Sequence, residues 1–108
     1  MEQVEKVWGT EEIIVNNDLY CGKFLNIAPG YQCSLHYHVV KDETFFVAVG
    51  KVDMQVGDEA FVLNEGESVR ILPGTPHRFG SRSLAVIIEI STPHSDDDVV
   101  RLEPSGRY

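Results

Sequence analysis

The sequence predicts an all-β domain on three observations. Short apolar runs rich in Val, Ile and Phe recur along its 108 residues, separated by turn formers such as Ala28-Pro29-Gly30 and Pro73-Gly74-Thr75-Pro76. Val52, Met54 and Val56 alternate with polar residues, as the residues of a half-buried strand do. No stretch of a dozen residues keeps a helical period without a Gly or Pro interruption. Many short strands at near-regular spacing predict an antiparallel sandwich or small barrel.

Each predicted strand is a run of β-branched or aromatic residues that ends at a turn former. In chain order the runs are residues 13–15, 23–27, 44–49, 52–56, 61–63, 69–72, 84–90 and 99–102. The sequence predicts one domain over residues 1–108. Its barrel core covers about residues 20–91, with an N-terminal segment 1–19 and a C-terminal tail 92–108 packing on it.

Composition excludes several classes of function. The chain has 9 Lys and Arg residues against 17 Asp and Glu residues, a net charge of −8, so it offers no basic surface for nucleic acid or anionic membrane. No apolar stretch approaches the ~20 residues of a membrane helix, and the acidic start shows no secretory signal. Cys21 and Cys33 form no CxxC pair. We therefore expect a cytoplasmic domain whose two reduced thiols are small buried hydrophobes.

Three of the four histidines fall into a spacing that predicts a metal site. His36 and His38 are two residues apart on a predicted strand, so both imidazoles point to one side. Glu43 begins the next strand, and we expect antiparallel pairing of these two strands to bring its carboxylate opposite the histidines. His77, at the start of a later strand, supplies a third imidazole. Three nitrogens and one oxygen bind a divalent ion such as Mn, Zn, Fe, Co or Ni, and octahedral geometry leaves two positions open.

Two glycine-framed motifs resemble those of the cupin superfamily. The first, G-x5-HxH-x4-E-x6-G, is matched by Gly30, His36, His38, Glu43 and Gly50. The second, G-x5-PxG-xx-H, is matched by Gly66, Gly74 and His77, with its proline one place late at Pro73. The resemblance implies a β-barrel of jelly-roll type, often dimeric, with one metal ion near one end of the barrel.

A narrower resemblance points to carbohydrate chemistry. The blocks SLHYHVVKDETFFVAVG and ILPGTPHRF look like the cupin part of bacterial mannose-6-phosphate isomerases, and equally like small sugar isomerases of the lyxose-isomerase kind. The mannose enzymes usually carry Gln where His36 stands. The tail STPHSDDDVVRL is similar to tails of small cupins that accompany sugar-nucleotide and sialic-acid enzymes. The implied ligand is a small carbohydrate or sugar phosphate.

Aldose–ketose isomerisation suits these residues. A divalent ion acts as a Lewis acid on the carbonyl and neighbouring hydroxyl, and a base moves a proton between the two carbons. Glu89 is a carboxylate among aliphatic residues, and we expect burial to raise its pKa toward the range of a general base. Lys23 and Arg78 are the candidates for holding substrate oxygens or a phosphate, Arg78 because it directly follows His77.

Two other classes of function use the same ligands. The four side chains could hold iron and activate dioxygen, as in cupin dioxygenases. The domain could also be a non-catalytic sugar-binding or regulatory module that accompanies a biosynthetic enzyme. No local feature of the sequence separates these alternatives from the isomerase.

The alternation of side chains also predicts a dimer. If the histidines face inward, Cys33, Leu35 and Tyr37 face outward; if Glu43 faces inward, Phe45, Val47 and Val49 do too, while Phe46 and Ala48 face outward. The strands on either side of one turn would then form an apolar patch on the outer face, which consists of Leu35, Tyr37, Phe46 and Ala48. Such patches usually mark an interface, so we expect a two-fold homodimer that buries Phe46 and Tyr37.

Overall fold

The computed structural model describes residues Met1–Tyr108 and consists almost entirely of β-strands. The strands are β1 (Glu2–Lys6), β2 (Gly9–Asn16), β3 (Cys21–Ile27), β4 (Tyr31–Gln32), β5 (Leu35–His38), β6 (Glu43–Val49), β7 (Lys51–Val56), β8 (Glu59–Asn64), β9 (Ser68–Ile71), β10 (His77–Ser81), β11 (Ala85–Ser91), β12 (Val99–Glu103) and β13 (Gly106–Arg107). A single 3₁₀ turn covers Asp96–Asp98. The predicted all-β class is confirmed. No helical segment has the length and hydrophobicity needed to cross a membrane.

Two antiparallel sheets form a jelly roll. The first sheet has the strand order β1-β2-β3-β11-β6-β9. In the second sheet β10 pairs with β4 and β5 along one edge and with β7 along the other; β12 and β13 lie beyond β5 and β4, and β8 lies beyond β7. Consecutive strands β5 and β6 therefore lie in different sheets.

Inward side chains of the first sheet change from apolar to charged along two neighbouring strands. In the register of β3 with β11, Leu25 lies opposite Ile87, and two residues further along Lys23 lies opposite Glu89. All four residues are buried. Leu25 and Ile87 belong to the hydrophobic core between the sheets. The interior is thus an apolar core at one end and a polar space at the other.

The strand that carries the first two histidines is interrupted just before them. Cys33 and Ser34 lie between β4 and β5, and both are buried although they are consecutive. The Cys33 N–H donates to the Phe79 carbonyl at 2.9 Å, and the Phe79 N–H lies 3.2 Å from Cys33 Sγ. The prediction that Cys33 faces outward is therefore wrong, because the irregularity breaks the alternation. Both cysteines are free and buried, as predicted.

The motif glycines adopt backbone conformations that other residues rarely do. Gly30, Gly50, Gly66 and Gly74 have φ values of 85°, 82°, 86° and 81°. At Gly50, between β6 and β7, a Cβ would also lie 2.6 Å from the Leu84 carbonyl oxygen. This turn carries the chain from one sheet to the other.

The N-terminal residues form a hairpin that the sequence did not predict. β1 pairs with β2 at the edge of the first sheet, and the turn between them holds Trp8. The Trp8 ring is buried and packs edge-on against Phe79, with ring centroids 4.9 Å apart. The hairpin extends the sheet and places Trp8 in the hydrophobic core.

The predicted outer patch of Leu35, Tyr37, Phe46 and Ala48 is not formed, because β5 and β6 belong to different sheets. Val49, expected inside, is 43% exposed at the end of β6. An apolar surface does cover the outer face of the first sheet, where Ile88 lies opposite Phe24 on one side and Phe46 on the other. Ile90 of the same face is exposed.

If the chain forms a homodimer, we expect this outer face of the first sheet, including Phe46 but not Tyr37, to form the interface. Phe46→Glu would place a charge against apolar surface and should convert a dimer to a monomer in sedimentation velocity. Val62→Glu, at an exposed position of β8 in the other sheet, is the matched control and should stay dimeric. A wild-type chain that sediments as a monomer at high concentration would reject the dimer.

Candidate metal centre

Three imidazoles meet inside the barrel where β5 lies beside β10. His36 of β5 is paired in register with His77 of β10, and His38 follows two residues later on the same face. Ring centroids of His36 are 4.5 Å from those of His77 and 5.1 Å from those of His38. One nitrogen from each of the three rings lies within 4.8 Å of the others, a spacing that suits ligands of one ion.

The carboxylate of Glu43 joins this cluster from the opposite sheet. Its Oε2 atom lies 2.9 Å from His77 Nε2 and 3.4 Å from His38 Nε2, and the side chain is buried. The sequence predicted that Glu43 would reach the histidines as the neighbour of β5. It reaches them instead across the barrel interior, because β6 belongs to the first sheet, and Glu43 is the first residue of that strand.

Backbone carbonyls fix which nitrogen two of the imidazoles present. Nδ1 of His36 lies 2.8 Å from the Ser34 carbonyl, and Nδ1 of His77 lies 2.9 Å from the Thr75 carbonyl. Each Nδ1–H therefore donates to a carbonyl, and the Nε2 lone pair is left to face the cluster. The turn at Gly74 also ties the two histidine strands, since its N–H donates to the His38 carbonyl at 2.7 Å.

Burial keeps the imidazoles of His36 and His38 neutral. Loss of hydration, helped by the neighbouring His77, lowers the pKa of His36 to about 3. Burial likewise lowers the pKa of His38, against the opposing pull of Glu43. Neutral imidazole is the form that binds metal, so near pH 7 both rings offer lone pairs.

Unsatisfied buried atoms in the cluster fit a cation. Glu43 Oε2, His77 Nε2 and His38 Nδ1 are buried without a hydrogen-bond partner. His77 Nε2 faces Glu43 Oε2 at 2.9 Å with no hydrogen bond between the two atoms. Buried polar atoms are otherwise nearly always satisfied. A divalent ion held by His36, His38, Glu43 and His77 satisfies the facing atoms with the ligand types that transition metals prefer.

The cluster opens into a pocket of about 500 Å³, a volume typical of small-molecule sites. Its apolar lining includes Trp8, Leu25 and Phe45. Charged side chains also line it, among them Glu11, Lys23, Lys41 and Glu89. The pocket therefore combines a potential metal centre with buried acids and bases.

Glu89 lies in this pocket, but its environment differs from the predicted one. Burial alone would raise the pKa of Glu89, as expected, yet the ammonium groups of Lys41 and Lys23 outweigh it and hold the pKa below its ordinary value. Lys41 Nζ is 2.7 Å from Glu89 Oε2, and the Ser91 hydroxyl donates to the same oxygen at 2.9 Å. The expected rise in pKa is thus wrong, and Glu89 is an ionised carboxylate near pH 7.

Lys23 and Arg78 have different surroundings. Lys23 is buried in the pocket, where its ammonium contacts Glu11 Oε1 at 3.3 Å. Arg78 points away from the pocket, because it follows the inward His77 and side chains alternate along β10. Its guanidinium donates to the carbonyls of Cys33 and Pro104 and contacts Glu103. The structure therefore does not bring Arg78 to the cluster, and its cation ties down the C-terminal tail.

Two residues of the site were missed in the sequence. Lys41 sits two positions before Glu43 and is buried, with its Nζ 3.8 Å from Glu43 Oε1. Its ammonium also lies 3.1 Å from Nδ1 of His94, the histidine outside the motif. Because Lys41 lies in a loop, the sequence alone suggests a solvent-exposed lysine, and its burial follows only from contacts with residues distant in the chain. His94, the histidine that neither motif uses, was the one sequence feature that could have pointed to this part of the site.

Comparison with known families agrees with this geometry. Residues 23–94 match the family model Cupin_2, described as a cupin domain. The chain belongs to the cupin family. The resemblance stated from the two motifs is confirmed, and the matched range includes all four candidate ligands.

Relatives of this cupin include enzymes of sugar metabolism. It is 32% identical over 113 residues to the D-lyxose/D-mannose isomerase of Thermosediminibacter oceani, covering 80% of this chain and 62% of that enzyme. It is 28% identical over 104 residues to a mannose-1-phosphate guanylyltransferase of Sinorhizobium fredii, covering 93% of this chain and 20% of that enzyme. The chain thus spans about a fifth of the guanylyltransferase and less than two thirds of the isomerase.

Solved structures show the same fold. The structure of KdgF from Halomonas sp. superposes with a TM-score of 0.81 at 16% sequence identity, and the match covers 90% of each chain. At this identity the likeness establishes the jelly-roll architecture of the cupin.

We expect His36→Ala and His77→Ala to weaken binding of a divalent ion at least about tenfold, since changes even beyond the ligands commonly cost that much. Elemental analysis and titration calorimetry with Mn, Zn and Co measure the loss. Asn64→Ala, at an exposed position of β8 outside the pocket, is the matched control and should retain the metal. Undiminished metal in both cluster variants would overturn the site, and thermal melts establish that each variant is folded.

Proposed function

We propose that this cupin is a metal-dependent aldose–ketose isomerase that acts on a small sugar or sugar phosphate. The observation that carries the proposal is the convergence of three imidazoles and Glu43 at one pocket with the buried, ionised Glu89. Lys41 contacts both carboxylates, so the two are neighbours. An isomerase needs these two parts together: a centre that binds adjacent sugar oxygens and a base beside it.

The ligand set leaves room for substrate. His36, His38, Glu43 and His77 would hold the ion, which is one of Mn, Zn, Fe, Co or Ni. An ion with coordination positions beyond these four ligands would bind a sugar carbonyl and a neighbouring hydroxyl. When bound, the ion would supply Lewis acidity that favours loss of the proton from the carbon that bears that hydroxyl. Orientation and proton transfer then depend on residues of the chain.

Glu89 is the proposed base. Lys41 and Ser91 both contact its Oε2 atom, which leaves Oε1 for the proton. An ionised carboxylate can accept the proton from one carbon and return it to the next, while the hydroxyl proton passes to the former carbonyl oxygen, so a single group serves both carbon–proton transfers. The lowered pKa of Glu89 favours the accepting form from the start.

Lys23 is the proposed substrate-holding cation. Its ammonium is buried and has a single hydrogen-bond partner, Glu11, although an ammonium has three donors. The remaining donors suit sugar hydroxyls or a phosphate oxygen. The apolar lining formed by Trp8, Leu25 and Phe45 suits the carbon-bound face of a sugar, because aromatic and aliphatic surface excludes water from that part of the pocket.

Similarity to sugar enzymes supports this choice among cupin activities. The D-lyxose/D-mannose isomerase of T. oceani is a relative whose named activity matches the chemistry that the pocket offers. Iron-dependent oxygen activation and sugar binding without turnover use the same ligands, and neither assigns a task to the buried Glu89.

The test is aldose–ketose exchange with a panel of free and phosphorylated sugars, on protein reloaded with Mn, Zn, Fe, Co or Ni. We expect turnover with at least one metal and sugar. Glu89→Gln should reduce turnover by at least about a hundredfold while metal binding is retained, because it removes the base and keeps the size of the side chain. Glu103→Gln, at an exposed glutamate outside the pocket, should behave as wild type.

Three results would contradict the proposal. Oxygen consumption by the Fe(II) form without sugar exchange would favour a dioxygenase. Sugar binding without turnover across the panel would favour a binding module. Full activity of Glu89→Gln would remove the assigned base.

A further inference from the structure

The C-terminal segment 92–98 crosses the loop that carries Lys41 and is fixed there by hydrogen bonds. The Asp98 carboxylate accepts from the N–H groups of Val40 and Lys41 at 2.9 and 3.0 Å. The Asp42 N–H donates to the Thr92 hydroxyl at 3.0 Å, and the Thr92 N–H donates to the Asp42 carbonyl at 3.0 Å. The segment therefore binds the loop between the metal ligands His38 and Glu43 from outside.

The backbone of His94 is anchored to a third part of the chain. The His94 N–H donates to Asn16 Oδ1 at 3.0 Å, and Asn16 Nδ2 donates to the His94 carbonyl at 3.2 Å. These two bonds use only backbone groups of His94. They leave its imidazole free to turn inward, where it lines the pocket.

The imidazole of His94 is an acceptor for the buried ammonium. Its Nε2 lies 3.0 Å from Asp96 Oδ1, so Nε2 carries the proton and Nδ1 is left with a lone pair. Burial lowers the pKa of His94, which keeps the ring neutral and able to accept. Lys41 Nζ lies 3.1 Å from that Nδ1.

The ammonium of Lys41 thus has two close neighbours and one more distant carboxylate. Glu89 Oε2 lies at 2.7 Å and His94 Nδ1 at 3.1 Å, while Glu43 Oε1 lies at 3.8 Å, beyond hydrogen-bond distance. Without His94, the long lysine chain would have only the two carboxylates, and nothing would set how it divides between them. A single ordered position of the ammonium, together with the Ser91 hydroxyl, holds Glu89 with Oε2 occupied and Oε1 free.

We propose that His94 is a positioning residue that holds the Lys41 ammonium against Glu89 and so orients the proposed base. Its effect on turnover rests on the proposed function, whereas its effect on Lys41 does not. A carboxylate that is displaced by an ångström from its working position can lose a large part of its rate. His94 is therefore expected to change kcat rather than KM.

The test compares two replacements of His94. Asn places an amide group near the position of Nδ1 and can still accept from Lys41, whereas Leu fills similar space with no acceptor. The backbone bonds to Asn16 are available to both variants, so the segment should stay in place. Asp97→Asn, at an exposed neighbouring carboxylate that does not contact His94, is a control that leaves the Lys41 contact intact.

The first readout is the ¹H–¹⁵N signal of the lysine ammonium groups, which needs no activity. A buried, hydrogen-bonded ammonium exchanges its protons slowly, and Lys41→Arg assigns the signal by its loss. We expect the Lys41 signal to shift or broaden in His94→Leu and to persist in His94→Asn and Asp97→Asn. Lys23, the other buried lysine, is the internal reference and should not change.

The second readout is steady-state kinetics with whichever sugar the wild type converts. His94→Leu should lose about tenfold in kcat with KM within about twofold, and His94→Asn should restore most of the loss. An unchanged Lys41 signal in His94→Leu, or an altered signal with unchanged kcat, would overturn the inference. A wild type that converts no sugar contradicts the proposed function instead, and the ammonium spectra then decide the placement of Lys41 by themselves.

Discussion

The site depends on one requirement, that the buried carboxylate of Glu43 be compensated by positive charge. An ionised carboxylate taken out of water is costly unless cations and hydrogen bonds replace the hydration. Glu43 has the Lys41 ammonium on one side, and on the other side the imidazoles of His38 and His77, which make no hydrogen bond to its Oε2 atom and leave that atom for a cation. The same ammonium contacts Glu89, so a continuous set of charged contacts spans the polar end of the barrel. The contacts that make this interior tolerable are also those that bring the reactive groups together.

The jelly-roll architecture explains why ligands distant in sequence converge. His36 and His77 are neighbours because β5 and β10 pair in one sheet, while Glu43 enters from the sheet that packs opposite. Neither sheet alone holds the four side chains. The space between two packed sheets is therefore the ligand-binding element, and the apolar core beneath it sets the separation of the sheets.

Much of this could be predicted from residue spacing, and the failures have a common cause. The two-residue period places His36 and His38 on one face, and the turn chemistry of Gly74 places His77 at a strand start, so all three were found. The contacts between residues of different sheets were not predicted. The two-residue period of a strand shows which face a side chain occupies, but it does not show which strand lies opposite. That is why the outer patch was assembled from β5 and β6, which never pair.

The charges around each site residue also could not be predicted from its neighbours in the sequence. Lys41 and Lys23 lower the pKa of Glu89, and the burial of Lys41 could not be expected from its position in a loop. Arg78 directly follows His77 in sequence, but its guanidinium donates to the carbonyls of Cys33 and Pro104. A break in strand regularity, as at Cys33 and Ser34, likewise depends on contacts made elsewhere. Where tertiary contacts decide the outcome, spacing alone gives no answer.

The bonds from segment 92–98 to residues 16 and 40–42 have a consequence for how the protein is made. The candidate metal ligands at positions 36, 38, 43 and 77 all precede segment 92–98 in the chain, so the residues that fix the Lys41 loop are synthesised after them. Contacts of such long sequence separation also slow folding, because the intervening loop must close first. The pocket is therefore complete only when segment 92–98 has joined the fold and brought His94 to Lys41.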